Sequence, residues 1–143
     1  MRVVVTSVDY SDFLAVTLPA WQQVLPNAAI TVVTSPADAA TKALALHLGA
    51  RVVVTSAWYA QGHTFDKAAA IDEAFGITGS AVAPPEKGER CLVLDADVYP
   101  FGQLPEEKLD PRTIYGCPRY LCPTPEDLAA HIAGRTARHE LPL

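Results

Sequence analysis

Four apolar, strand-sized runs, the first three rich in β-branched residues, recur along the first two-thirds of the chain, each separated from the next by helix signals. They are Arg2–Ser7 (RVVVTS), Ala29–Thr34 (AITVVT), Arg51–Thr55 (RVVVT) and Arg90–Leu94 (RCLVL). Runs this apolar, with little polar alternation, suit strands buried on both faces. Between them, Asp12–Leu25 carries apolar residues at helical spacing, with Pro19 a kink or restart. Ser35-Pro36-Ala37-Asp38 reads as an N-cap, a proline at the first helical position and an acid at the third. That helix should run to about Leu48 and stop at Gly49; a third should cover Phe65–Phe75 and stop at Gly76. Strands alternating with helices predict an α/β fold: a mainly parallel twisted sheet with helices on both faces.

The second half differs. Nine of the 12 prolines lie from Pro84 onward. Residues 79–89 read as a loop, 103–112 as a short turn or helix, and Thr113–Cys117 as a strand. Thr124-Pro125-Glu126-Asp127 repeats the helix-start chemistry and opens a helix to about Ala133; the tail from Arg135 reads as loosely held. A length of 143 residues suits one domain, with a core over 1–100 and a reduced C-terminal part over 101–143.

The formal charge of −5 argues against a nucleic-acid binder. No apolar run is long enough to span a membrane, and MRVVVTS is no secretory signal. Cys91, Cys117 and Cys122 form no disulfide framework, which suits free thiols and a cytoplasmic location. A zinc site from Cys117, Cys122, His131 and His139 matches no standard spacing.

In a parallel sheet, ligands bind at the carboxyl ends of the strands. Here all four ends are small and polar: Thr6-Ser7, Thr34-Ser35, Thr55-Ser56 and Asp95-Ala96-Asp97. The last is the sharpest signal. CLVLDADVYPFG runs a buried strand into two aspartates one residue apart. Residues at i and i+2 of a strand share a face, which would put the two carboxylates on the order of 5–7 Å apart. Their repulsion in a half-buried cleft would be roughly 2–3 kcal/mol. A divalent cation would convert that repulsion into binding. The alternative is a solvated turn, where aspartate is common.

The sequence has no G-x-G-x-x-G after the first strand, no G-x-x-x-x-G-K and no G-x-S-x-G. A strand followed by D-x-D also occurs in haloacid dehalogenase-like phosphatases. Their motif continues with threonine or valine two residues past the second aspartate, where this chain has Tyr99. Three stretches together resemble another family. VTSVDYSDFLAVTLPAW resembles the first strand and helix of GT-A type glycosyltransferases. FDKAAAIDEAF resembles their F-N-K-x-x-A-x-N-x-x-F segment, with Asp66 and Asp72 in place of asparagines. LVLDADVYP resembles their D-x-D strand end.

That resemblance covers about residues 2–120 and implies a nucleoside-diphosphate sugar donor with Mn²⁺ or Mg²⁺. By it, Asp97 would ligate the metal, and Asp95 would touch the metal, its waters or the ribose. Val5, Thr6 and Ser7 would border the base; Thr34, Ser35 and Asp38 would lie near the nucleoside. Lys67 would face phosphate or fix Asp95. Two bland roles stand beside these: a capping box for Asp38 and a solvated first helical turn for Lys67. Gln61, His63 and Thr64 are either acceptor-side groups or a polar loop. Tyr115-Gly116 and Arg119 resemble the strand after the D-x-D, and His131 or His139 could be late ligands.

The resemblance names no catalytic base and no acceptor. Two functions follow: a metal-dependent glycosyltransferase, or a non-catalytic nucleotide-sugar-binding or interaction module. In the second, an exposed sheet edge could serve a partner or a second copy in a homodimer.

Overall fold

The computed structural model describes residues 1–62, 65–78, 82–100, 110, 113–115 and 124–133. Their strands are β1 (Arg2–Thr6), β2 (Ala29–Thr34), β3 (Arg51–Val54) and β4 (Cys91–Asp95). Their helices are α1 (Ser11–Val24), α2 (Ala39–His47), α3 (Lys67–Ala74) and α4 (Pro125–Ile132), with a 3-10 helix at Ala57–Gly62. The chain divides into two compact units, Met1–Pro111 and Arg112–Leu143.

In the first unit the four strands form one all-parallel sheet in the order β3-β2-β1-β4. This is the α/β architecture that the alternating runs predict. Successive strand residues point to opposite faces, and the core divides accordingly. Val3, Val5, Ile30, Val32 and Leu94 pack with Leu14, Leu18 and Trp21 of α1 and Ala45 of α2. Val4 and Val33 pack on the other face with Trp58, Ala70, Ala74 and Phe75. Helices therefore cover both faces. The chain winds outward from β1 to β3, then crosses by the opposite face to β4 on the far side of β1. The direction of winding reverses between β1 and β4, and that reversal is where open parallel sheets leave a crevice.

Helix α1 runs unbroken through Pro19. Pro19 and Ala15, whose carbonyl loses its donor, both lie on the exposed side, where water replaces the missing bond. Helix α2 corrects the sequence reading of its start. Ser35 is not the cap: Asp38 is, its carboxylate accepting the Thr41 N–H at 3.0 Å. Residues 36–37 form a turn closed by Asp38 N–H to Ser35 O at 3.2 Å, so Pro36 precedes the helix. Gly49 and Gly76 end α2 and α3 at φ of +76° and +72°, as helix-stop glycines do.

Residues 82–89 form no strand or α-helix; Arg2 pins them to the amino end of the sheet through Glu89 (3.0 Å) and the Ala83 carbonyl. Residues 79–81 of that predicted loop lie outside the described residues. So do 103–112 except Asp110, and the tail from Arg135. Thr113–Tyr115 is not a strand, which corrects that expectation; Gly116 and Cys117 lie outside the described residues.

In the second unit, α4 opens as read. The Thr124 hydroxyl accepts the Asp127 N–H at 3.1 Å, and the Asp127 carboxylate accepts the Thr124 N–H at 3.2 Å. This is a reciprocal cap of the capping-box kind. No helix among the described residues is long and apolar enough to cross a membrane.

Candidate functional site: the carboxyl ends of β1 and β4

Strand β1 ends at Thr6 and β4 at Asp95, and the two residues are register partners. The Thr6 hydroxyl donates to Asp95 Oδ1 at 2.6 Å, with the Leu94 carbonyl 3.1 Å away. Lys67, the first residue of α3, reaches the same oxygen and forms an ion pair with it. Three of the residues expected from the sequence thus meet at one point. Lys67 fixes Asp95, one of the two roles that the resemblance left open for it. A lysine in the first turn works against the helix dipole. Its placement there is offset by Asp95, with the helix capped independently by Asp66, which accepts the Ala69 N–H at 2.9 Å.

Asp97 lies differently from expectation. The strand stops at Asp95, and Ala96-Asp97 form a turn closed by Val98 N–H to Asp95 O at 3.1 Å. The i, i+2 rule for strands therefore does not set the two carboxylates face to face. Asp97 is exposed, and among the described residues it accepts no hydrogen bond and forms no ion pair. Asp95 is half-buried and already faces a cation. The expected repulsion is removed by Lys67 on one side and by solvent on the other.

The backbone around Asp97 is held closely. Ala96 N–H donates to Thr6 O at 3.0 Å. From α1, the Thr17 hydroxyl donates to Ala96 O at 2.6 Å, and Trp21 Nε1 donates to Val98 O at 2.7 Å. Both side chains are buried. Nothing local in the sequence signals this bridge; its ends are nearly eighty positions apart. The only sign is that Thr17 and Trp21, four residues apart, share the buried face of α1.

At the ends of β1 and β2 the polar residues bind one another. Asp38 is buried; its Oδ2 accepts the Asp9 N–H at 2.7 Å and the Thr34 hydroxyl at 3.2 Å, while Oδ1 accepts from Thr41. Burial acts to raise its pKa, but these hydrogen bonds outweigh burial and hold it below its ordinary value. The buried Thr41 hydroxyl completes no hydrogen bond of ordinary geometry, yet its dipole also favours the charged carboxylate. Asp9 adopts φ +59°, a left-handed backbone that few non-glycine residues take. Ser35 is buried beside Thr34, and the Ser7 hydroxyl is buried with no hydrogen-bond partner among the described residues. An unpaired buried hydroxyl typically costs about 1–3 kcal/mol.

Among the described residues, no three His, Cys, Asp or Glu side chains cluster as metal ligands. Cys91 is a free, exposed thiol. Cys117, Cys122, Arg119, His139, His63 and Thr64, and the side chains of Gln61 and His131, lie outside the described residues. No family model, curated protein or solved structure matches this chain.

Proposed function

We propose that this chain is a GT-A type donor-binding domain acting as a metal-dependent glycosyltransferase. It would take a nucleoside-diphosphate sugar with Mn²⁺ or Mg²⁺ in the crevice between β1 and β4. The observation that carries the reading is the pairing of opposites at the winding reversal. A fixed Thr6–Asp95–Lys67 cluster stands two residues from an exposed carboxylate, Asp97, that bonds to nothing among the described residues.

The residues fit a hard divalent ion held jointly by protein and ligand. Mg²⁺-type ions are commonly bound through one or two carboxylates, with substrate phosphates and waters completing the shell. Asp97 offers such a carboxylate. Asp95, anchored to Lys67 and Thr6, suits an orienting role better than direct ligation. When bound, the ion would neutralise the diphosphate leaving group. The chain's own part is to present Asp97, to hold Asp95 in place between Thr6 and Lys67, and to border the nucleoside with Ser7 and the end of β2. Asp38 serves by holding the β1–α1 loop through Asp9.

The test is a calorimetric titration of UDP- and GDP-sugars into the protein with Mn²⁺ or with EDTA, followed by assay of nucleotide release. Mn²⁺-dependent binding with release supports the transferase. Binding without release assigns the non-catalytic module. Equal binding in excess EDTA removes the metal from the account.

A further inference from the structure

Asp97 is an exposed turn residue, yet the peptide groups on both sides of it are fixed. Ala96 is held at its N–H by Thr6 O and at its carbonyl by Thr17. Val98 is held at its N–H by Asp95 O and at its carbonyl by Trp21. Two of these four bonds come from side chains of α1, one turn apart, both buried and both short. A solvated turn needs no such bracing, and among the described residues the Asp97 carboxylate bonds to nothing.

We infer that Thr17 and Trp21 are positioning residues: they brace the 95–98 turn so that Asp97 is held ready for a divalent cation bound with a diphosphate. The inference rests on the metal-dependent reading above. The physical logic is preorganisation. A carboxylate on a mobile turn must be ordered when the ion binds, whereas a braced one is ordered already. Groups that orient a metal's ligand typically carry 10–100-fold in affinity. The Thr17 hydroxyl also has the Phe13 carbonyl at 3.1 Å, a bond within the helix; the shorter contact, to Ala96, is the one that leaves α1.

The test uses three variants of the full chain. Trp21→Phe keeps an aromatic ring and removes the N–H donor. Thr17→Val keeps the shape and removes the hydroxyl. Thr17→Ser keeps the hydroxyl and serves as the rescue. Mn²⁺ is titrated in the presence of saturating UDP or GDP, with far-UV circular dichroism to establish the fold. UDP or GDP binding is measured separately in EDTA.

The expected result is Mn²⁺ affinity weakened about 10-fold or more in Trp21→Phe and Thr17→Val, near wild type in Thr17→Ser, with metal-free nucleotide binding unchanged. Folded variants with wild-type Mn²⁺ affinity would overturn the inference and leave the proposed function standing. So would Thr17→Ser as weak as Thr17→Val, since the hydroxyl would then not be the operative group. A wild-type protein that binds no Mn²⁺ with either nucleotide would overturn the proposed function, and the inference with it. If one α1 variant does not fold, the other decides.

Discussion

Asp38 carries its charge in a nearly dry pocket, and its pH response follows from its neighbours. Its folded pKa lies below the ordinary value of 3.8. A depressed carboxylate contributes stability above its unfolded pKa and loses it as pH falls through the folded value. Asp38→Asn turns one nitrogen toward a backbone N–H, from Asp9 or from Thr41, and should cost about 1–3 kcal/mol near neutrality. The deficit should shrink in acid below 3.8, where the wild-type carboxylate also protonates. Melting curves at neutral and acid pH check this; a deficit independent of pH would contradict it. Gly76 gives a second test. A Cβ there would overlap the Val82 carbonyl, whereas one at Gly49 meets nothing within 4 Å, although both sit at positive φ. Gly49→Ala should therefore cost the left-handed strain alone, about 1–2 kcal/mol, and Gly76→Ala distinctly more by chemical denaturation. Lys67 tests function at the same scale. Its pair with Asp95 is partly exposed, so Lys67→Met should change stability by less than about 1 kcal/mol. Because Lys67 holds Asp95 in place beside the proposed cation site, metal-dependent nucleotide binding should still weaken about tenfold by calorimetric titration.

At the scale of elements, the turn after β4 separates an aspartate bonded within the fold, Asp95, from an exposed one, Asp97, that bonds to nothing among the described residues. Asp97→Ala should therefore leave the unfolding free energy within about 0.5 kcal/mol of wild type. A structural turn residue would instead cost roughly 0.5–2 kcal/mol. Thermal melting in EDTA distinguishes the two. The strands were legible because each leaves an apolar run of strand length, although only β1 and β2 are largely buried and the outer strands β3 and β4 are not. Strand β2 has the predicted bounds, and β1, β3 and β4 differ only at their ends. The start of α2 was misread because Ser35 and Asp38 are both good caps, and sequence does not say which reaches a helical N–H. The geometry of Asp95 and Asp97 was misread because strand alternation was carried two residues past the strand's end at Asp95. The Lys67–Asp95 pair was legible only as one of two roles for the lysine. The α1 brace was not legible at all, since a threonine and a tryptophan on a buried helix face read first as core.

For the whole molecule, charge and topology pull apart. A net charge of −5 repels an anionic ligand at long range. The winding reversal between β1 and β4 nevertheless gathers a lysine, its partner Asp95 and an exposed carboxylate, Asp97, that forms no ion pair among the described residues. On the proposed reading, affinity comes from a cation shared by protein and ligand. The direct measurement is calorimetric titration of UDP- and GDP-sugars into the wild-type chain, once with excess Mn²⁺ and once with EDTA. The account predicts saturable binding of a nucleotide sugar with Mn²⁺ and at least about tenfold weaker binding in EDTA, an increment of about 1.4 kcal/mol or more. Binding of equal strength in both, or in neither, would contradict it.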